Sequence, residues 1–249
     1  MSSKFPVRIN KYLAERHIAS RRKADELIEK GLVRINGKIA VLGDMVREND
    51  TVELDRKISN VEKSFVYFAF NKPRGIVTHS PTGDERGIAS LTKLSRDIVP
   101  VGRLDKDSEG LILLSNDGRI VRGLLEPGAL KEKEYEVTVD KKVLGGDLVK
   151  LEKGVRIERY TTKPARAIRI GERTFSLTLS EGKTHQIRRM CAALGYQVRG
   201  LRRIRVENIR LGSLSEGELR PLLGAELHEL LRSAGLPAQA GIPESKPTR

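Results

Sequence analysis

The sequence predicts an α+β protein in which a small helix-helix-hairpin unit precedes a mixed, largely antiparallel sheet flanked by helices. In the first 54 residues, helical spacing gives way to two short alternating runs around Asn36-Gly37, the strongest short signal for a hairpin. From Phe65 onward, longer β-type runs are separated by helical stretches. The mostly polar residues 55–64 lie between these parts, and we interpret them as a linker.

The N-terminal unit begins with apolar residues at helical spacing. A second helix is expected after Ser20, which suits the N-cap position, and Gly31 is placed to end it. The buried side of that helix is predicted to comprise Ala24, Leu27 and Ile28. Residues 32–41 predict a hairpin, and Val46 with residues 51–54 predicts a further strand.

The second part of the chain supplies the larger sheet. Strands are predicted within residues 65–70, 110–114, 135–139 and 174–179, and helices within 118–125, 143–152, 184–194 and 224–233. The predicted domains are therefore residues 1–60 and 65–235. Residues 236–249 contain three prolines and little apolar material, so we expect a disordered tail.

The charge of the chain predicts a large anionic partner, and nucleic acid is the first candidate. Lys and Arg total 47 against 33 Asp and Glu, which gives a formal charge of +14. Residues 183–210 alone carry a net charge of +7, mostly from arginine, whose guanidinium group matches phosphate geometry. Aromatic residues make up 4% of the chain and tryptophan is absent, which argues against a binder that relies on many stacking rings.

Two groups of basic residues are the candidate contacts with nucleic acid. The N-terminal group comprises Arg8, Lys11, Arg21, Arg22, Lys23 and Arg34. The second group, from the stripe 183–210, includes Lys183, Arg189, Arg202 and Arg203.

The residue inventory argues against several other classes of protein. One cysteine, Cys191, excludes an intramolecular disulfide, and the four histidines are too scattered to complete a zinc site. No apolar run approaches the ~18 residues of a membrane span, and the first ten residues lack a secretory signal. We therefore expect a cytoplasmic monomer with no cofactor, no metal and no membrane association.

The first candidate segment for chemistry is residues 101–110, Val-Gly-Arg-Leu-Asp-Lys-Asp-Ser-Glu-Gly, which leads into an apolar strand. Its acids resemble the start of a calcium-binding loop. Asn116 stands where such a loop needs a bidentate glutamate, so a calcium site is rejected. A simple turn with capping acids remains an alternative for this segment alone.

The second segment is residues 181–190, Glu-Gly-Lys-Thr-His-Gln-Ile-Arg-Arg-Met. A phosphate-binding loop fails because Leu177 stands where its first glycine is required. The pattern indicates a turn followed by a helix with Thr184 as N-cap, ending at Gly195. The buried stripe of that helix is predicted to be Ile187, Met190, Cys191 and Leu194. His185 can be read as a catalytic base, or as a surface or hydrogen-bonding residue.

The third segment, Lys-Glu-Lys-Glu-Tyr-Glu-Val at residues 131–137, places Tyr135 in a strand, where a lone tyrosine would serve packing. The order Gly-Arg-Leu-Asp, Lys-Glu-Tyr and Gly-Lys-Thr-His-Gln-Ile-Arg-Arg-Met resembles the bacterial RNA pseudouridine synthases, in the RsuA/RluF branch that modifies ribosomal RNA. The segment Asn-Lys-Pro-Arg-Gly at 71–75 resembles the Lys-Pro-x-Gly loop of that family. Residues 8–54, with Ser-Arg-Arg-Lys-Ala at 20–24, resemble the S4 RNA-binding domain found at the front of that branch.

The resemblance implies a function and a site. Asp105 would be the aspartate that initiates cleavage of the uridine N1–C1′ bond, and Arg188 would pair with its carboxylate. Tyr135 would stack on the target uracil, while Arg103 would occupy the space that the flipped base vacates or bind a phosphate. The implied substrate is ribosomal RNA, with the large-subunit RNA preferred over small-subunit RNA or tRNA, and no cofactor is implied.

Two other functions compete with this one. A non-catalytic RNA-binding or ribosome-assembly protein would keep the basic surfaces, but it would not need Asp105, Tyr135 and Arg188 together. A phosphodiesterase would want clustered acids for metal ions, and Asp105 with Asp107 is a thin basis for one.

Overall fold

A computed structural model describes residues 5–16, 18–19, 21–55, 65–126 and 130–237 of the chain. Three features expected from the sequence lie outside these residues: the Ser20 N-cap, most of the linker and most of the C-terminal tail. No helix within the described ranges has both the length and the apolar character that crossing a membrane requires.

In the described part of the N-terminal unit there are two helices and five short strands. In chain order these are β1 (Val7–Arg8), α1 (Ile9–Glu15), α2 (Arg21–Glu29), β2 (Val33–Ile35), β3 (Lys38–Ile39), β4 (Met45–Val46) and β5 (Val52–Leu54). The predicted hairpin is confirmed as β2 and β3, with Asn36 and Gly37 both at positive φ in the turn. The predicted further strand is two strands, since β4 pairs with β1 and β5 pairs with β2.

The two helices of this unit pack on the strands through one hydrophobic core. The predicted buried side of α2 is confirmed, because Ala24, Leu27 and Ile28 are all at most 8% exposed. Gly31 has the left-handed φ of +68° expected of the residue that ends this helix. The basic side chains therefore remain on the outside of the unit.

The larger unit contains five helices and eleven strands within the described residues. Its first half comprises β6 (Tyr67–Lys72), α3 (Ile88–Thr92), β7 (Val99–Val101), β8 (Glu109–Ser115), α4 (Gly118–Leu125) and β9 (Lys133–Val139). Its second half comprises α5 (Gly145–Lys153), β10 (Arg156–Ile157), β11 (Tyr160–Thr161), β12 (Arg166–Arg169), β13 (Thr174–Leu179), α6 (Gln186–Ala193), β14 (Val198–Val206), β15 (Ile209–Arg210), β16 (Leu219–Pro221) and α7 (Gly224–Ser233).

A nine-stranded sheet forms the centre of the larger unit, and it confirms the predicted α+β class. Seven strands follow the order β12-β13-β9-β14-β8-β6-β16, while β15 pairs with β14 and β7 pairs with β8. Every recorded strand pair in this sheet is antiparallel except β8 with β14. The nine-residue strand β14 lies at the middle of this order, although its sequence indicates only a basic stripe.

Apolar side chains cover both faces of the central strands. On β8, Leu111 and Leu113 pack in a core with α4 and α7, whereas Ile112 and Leu114 pack on the opposite face beside α3. A third core joins α5 and α6 to β9, β13 and β14. Burial on both faces explains why the β8 sequence is a continuous apolar run.

Helix α6 begins later than expected. Its first residue is Gln186, and the N-cap is His185 in a left-handed conformation with φ of 51°, without a side-chain cap; the predicted N-cap Thr184 is wrong. The predicted buried stripe is confirmed for Ile187, Met190 and Cys191, which are at most 5% exposed. Cys191 is therefore a core residue, and its burial raises the pKa of the thiol to about 12.

Gly110 tests how tightly β8 and β14 are packed. Its φ is +101°, and a Cβ there would stand 2.3 Å from the carbonyl oxygen of Arg203. Gly110→Ala should therefore lower the free energy of unfolding by ~2 to 5 kcal/mol, since it combines backbone strain with a clash against backbone. Gly118→Ala is the matched control, because nothing lies within 4 Å of a Cβ at the start of α4. Equal melting temperatures for the two variants would contradict the close approach.

Candidate active site

The loop between β7 and β8 presents Asp105, and neighbouring segments hold its backbone. The buried hydroxyl of Thr78 donates to the Leu104 carbonyl at 2.6 Å and accepts from the Leu104 amide at 3.1 Å. The Gly75 amide donates to the carbonyl of Lys106 at 2.8 Å. The loop is thus attached on both sides of Asp105 to the segment that follows β6.

Two arginines hold the same loop from the other side. Arg203 Nη1 donates to the carbonyl of Arg103 at 3.3 Å, and Arg188 Nη2 donates to the carbonyl of Asp107 at 3.0 Å. These carbonyls lie two residues before and two residues after Asp105. Because β14 and α6 supply these donors, the position of the aspartate depends on elements that are distant in sequence.

The sheet places Tyr135 near this loop. In the register of the strands, Gly110 of β8 stands beside Arg203 of β14, and Arg203 stands beside Tyr135 of β9. The Arg203 guanidinium lies 6.0 Å from the centroid of the Tyr135 ring. One cross-strand row therefore links the base of the aspartate loop to the half-buried tyrosine.

A cavity of about 950 Å³ opens above this row. This volume lies within the usual range for ligand sites, and it is ample for a nucleotide. Its wall includes Arg103, Asp105, Tyr135, Tyr160, Lys183 and His185. Two of the three residues that the resemblance singles out, Asp105 and Tyr135, thus face one space, as do the basic residues Arg103 and Lys183.

His185 contacts the aspartate directly. Its Nδ1 lies 3.1 Å from Oδ2 of Asp105, and the two side chains are 55% and 38% exposed. His185 is the N-cap of α6 and has a left-handed backbone conformation. Its ring therefore leaves the chain in a different direction from that of a residue within the helix. The hydrogen-bonding interpretation of His185 therefore fits the structure, and the partner is one that sequence spacing could not identify.

The ion pair expected between Arg188 and Asp105 is not formed in this structure. Instead, the Arg188 guanidinium donates to the backbone carbonyl of Asp107 at 3.0 Å and to that of Val198 at 3.5 Å. The partially buried guanidinium lies under the loop, so it supports the backbone that carries Asp105. The family resemblance implies a partner side chain for Arg188, whereas its contact with the loop is a backbone carbonyl.

Two buried cations lie beneath the loop. Lys72 is fully buried and donates to the carbonyls of Pro73 and Ile76 at 2.8 and 2.7 Å. Burial lowers the pKa of Lys72 to about 8, although the nearby acids Asp105, Glu109 and Asp107 oppose this shift. The second cation, Arg203, is only 5% exposed and donates to the carbonyl of Leu111 at 2.7 Å.

The sequence analysis places Arg203 among the surface residues that contact nucleic acid, and its burial corrects this prediction. It lies in the central strand β14, and its guanidinium is used by protein carbonyls. Arg202 is half-buried in the same strand. Arg205 is also engaged, since it pairs with Glu132 and Glu134. The stripe is therefore interrupted, because a strand with neighbours on both sides cannot present all its side chains to one surface.

The remaining basic candidates are more accessible. Arg103 and Lys183 are exposed at the cavity, while Arg189 is half-buried and pairs with Glu158 at 2.7 Å. In the N-terminal unit all six candidates are exposed: Arg8, Lys11, Arg21, Arg22, Lys23 and Arg34. These observations leave two accessible basic regions, one on each unit.

The described residues contain no group of three or more His, Cys, Asp or Glu side chains that could hold a metal ion. Asp105 and Asp107 do not form a wider acidic cluster.

Family models match both units of the chain. The model for RNA pseudouridylate synthase matches residues 66–193, and the model for the S4 domain matches residues 7–52. The chain belongs to the RNA pseudouridylate synthase family. It is therefore an RNA pseudouridine synthase with an S4 domain at its N-terminus, as the resemblance implied.

Curated and solved relatives agree with the family model. The dual-specificity RNA pseudouridine synthase RluF of Escherichia coli K12 is 40% identical over 228 residues, covering 91% of this chain and 79% of the relative. The ribosomal large subunit pseudouridine synthase B of Bacillus subtilis is 36% identical over 236 residues, covering 90% and 95%. A crystal structure described as a pseudouridylate synthase matches at a TM-score of 0.67 and 32% identity, covering 90% of this chain and 99% of that one.

The buried ammonium of Lys72 predicts an unusual dependence of stability on pH. Its pKa is about 8 in the folded chain and near 10.5 when unfolded, so the unfolded state binds more protons between these values. Raising the pH from 8 to 10.5 should therefore stabilise the wild type relative to Lys72→Met, by up to about 3 kcal/mol. Chemical denaturation of both proteins at several pH values measures this difference, in which the other titrating groups cancel. A difference independent of pH would contradict the depressed pKa.

Proposed function

We propose that this synthase converts a specific uridine of ribosomal RNA to pseudouridine, with Asp105 as the catalytic residue and no cofactor. The substrate proposed is large-subunit RNA. One observation carries the proposal: the Asp105 carboxylate and the Tyr135 ring line one cavity that is large enough for a nucleotide. Hydrogen bonds on both sides of Asp105 hold the backbone of the loop that carries it. Such fixed geometry is what an isomerisation within one substrate needs.

The reaction breaks the N1–C1′ bond of uridine and joins C5 of the same uracil to C1′; C5 loses its hydrogen as a proton and N1 gains a proton, so the product is an isomer of the substrate. No group is transferred to or from the protein overall. A carboxylate beside the ribose can attack C1′ or take the proton from C2′, and both routes release the uracil so that it can turn. Asp105 supplies this carboxylate, and the contact with His185 at 3.1 Å holds it.

Tyr135 supplies the wall on which the uracil stacks. The ring is half-buried between the apolar residues of two cores and carries the Arg203 guanidinium 6.0 Å from its centroid. A ring held in this way offers a flat face and a phenol to a flipped base. Arg188 acts through the loop, since it donates to the carbonyl two residues after Asp105.

The target base must leave its helix or loop to reach the cavity, at a cost of a few kcal/mol. Arg103 is exposed at the cavity, where it can bind a phosphate or occupy the vacated space. Residues 1–60 are proposed as a linked RNA-binding module and residues 65–235 as the catalytic domain. Two connected sites raise the overall affinity without new chemistry.

The relatives support the choice of ribosomal RNA. One is named a ribosomal large subunit pseudouridine synthase, and another is named a dual-specificity RNA pseudouridine synthase. We further propose that the protein acts in the cytoplasm and as a monomer. Pseudouridine mapping of cellular RNA with and without this protein tests the substrate, and loss of pseudouridine from tRNA or small-subunit RNA alone would overturn it.

Asp105→Asn should abolish catalysis while sparing RNA binding. Release of tritium from RNA containing [5-³H]uridine reports the loss of the C5 hydrogen, and it should fall at least ~1,000-fold. RNA affinity should stay within a few-fold, because asparagine keeps the size of the side chain. Asp107→Asn is the matched control two residues away, and its activity should stay within a few-fold of wild type. Full activity of Asp105→Asn would remove this residue from its role.

Arg21→Ala combined with Arg22→Ala should weaken RNA binding several-fold, since both exposed side chains lie at the start of α2. If both contact phosphates, the slope of log affinity against log salt should fall by about 1.5. Lys142→Ala provides the control at an exposed lysine outside the two basic regions. Equal salt slopes for the wild type and the double variant would exclude these residues from the interface.

A further inference from the structure

The cavity extends beyond Asp105 and Tyr135 to a second aromatic residue, Tyr160. This half-buried tyrosine stands in β11, the second strand of the short hairpin formed with β10. The same cavity wall includes Lys163, Glu181 and Lys183. A volume of about 950 Å³ exceeds the need of one flipped nucleotide, so this end of the cavity has room for a neighbour.

The Tyr160 ring is held as a fixed platform. Its hydroxyl donates to a carboxylate oxygen of Glu181, and the other oxygen accepts from the Lys163 amide at 3.0 Å and from Gln186 Nε2 at 2.6 Å. At the turn of the hairpin, Glu158 pairs with Arg189 of α6 at 2.7 Å. The hairpin is therefore attached to α6 and to the segment after β13.

The same contacts determine the protonation states of Glu181 and Tyr160. Although burial of Glu181 opposes its ionisation, the hydrogen bonds from Tyr160, Lys163 and Gln186 lower its pKa. The bond to this carboxylate raises the pKa of the Tyr160 hydroxyl. The tyrosine thus stays neutral, and its hydroxyl is bound to an ionised carboxylate.

A chain of contacts joins this platform to the catalytic aspartate. Asp105 contacts His185 at 3.1 Å, the next residue is Gln186, and Gln186 bonds to Glu181, which holds Tyr160. Three residues, His185, Gln186 and Glu181, thus link the two groups. Asp105 and Tyr160 line the same cavity, and successive nucleotides are joined by one phosphate, so the Tyr160 end of the cavity is the place for a nucleotide next to the target uridine.

Lys183 supplies a cation beside the ring. Its ammonium lies 5.0 Å from the Tyr160 centroid, and the side chain is exposed. An exposed cation–π contact is worth only about 2- to 5-fold in affinity, whereas stacking of a base on an aromatic ring is worth roughly 5- to 150-fold. A base can therefore displace the ammonium from the ring, and the flexible lysine can then reach the adjoining phosphate.

We propose that Tyr160 and Lys183 form a second nucleotide subsite, which binds the nucleotide directly next to the target uridine. The base stacks on the Tyr160 ring, and Lys183 binds the phosphate that joins the two nucleotides. This inference rests on the proposed function of the cavity, and it adds a preference for an intact base beside the target. Tyr160 is a binding residue in this role and takes no part in the bond changes.

A cycle between protein and RNA variants tests the subsite. The probe is a short ribosomal RNA stem-loop carrying the mapped uridine, with an abasic residue placed on its 5′ or its 3′ side. Tyr160→Leu should raise KM for the intact RNA about 10-fold with kcat within 2-fold. For the wild type, one abasic position should raise KM by a similar factor. For Tyr160→Leu, the same abasic position should raise KM by less than a further 2-fold, because this variant has already lost the ring on which the base stacks.

Tyr160→Phe separates stacking from support of the hairpin. It keeps the ring and removes the bond to Glu181, so the penalty for the abasic position should persist as in the wild type. If Tyr160 serves only to tether the hairpin, Phe and Leu would behave alike, and the penalty for the abasic residue would multiply with both. That result would overturn the proposal, as would an unchanged KM for Tyr160→Leu.

Lys183→Met provides a second test that leaves the platform intact. It should reduce the slope of log affinity against log salt by about 0.7. A neutral methylphosphonate at the linkage beside the target should weaken wild-type binding but have less than 2-fold effect on this variant; equal effects would overturn the role of Lys183. Should the wild type release no tritium from any RNA, the proposed function itself fails, which is distinct from these outcomes.

Discussion

The close approach of β8 and β14 at Gly110 is the constraint on which the site depends. A side chain there would meet the carbonyl of Arg203, so only glycine lets the two strands lie side by side with their parallel register. That contact brings the Arg203 guanidinium under the aspartate loop, where it holds the Arg103 carbonyl, and brings Tyr135 into the next position of the row. This backbone contact thus links the loop that carries the acid to the strand that carries the ring.

Much of this architecture follows from local sequence. Residues 174–179, 118–125 and 224–233 form the predicted strand and helices, with the bounds that local hydrophobic periodicity indicated. Strand β14 is not predicted from the sequence because its charges suggest an exposed surface. In the structure, Arg203 donates to protein carbonyls and Arg205 pairs with glutamates. The sequence does not identify these partners, since Leu111 and Glu132 lie far from β14 in the chain.

The candidate site divides in the same way. The motifs of the chain indicate Asp105 and Tyr135, and the structure places both on one cavity. Spacing did not predict that His185 would contact Asp105 at 3.1 Å, because this contact needs the left-handed backbone before α6. Nor did it predict that Arg188 would hold a backbone carbonyl in place of the carboxylate. Family motifs thus indicate which residues meet, while side-chain partners depend on the fold.

The supports of the aspartate loop come from widely separated parts of the chain. Thr78, Arg188 and Arg203 reach it across 26, 81 and 100 residues, respectively. Each of these contacts closes a long loop of chain, and loop closure carries an entropic cost. The backbone geometry around Asp105 therefore requires β14 paired with β8 and α6 in its place beside the loop, and local structure within residues 101–110 does not provide it.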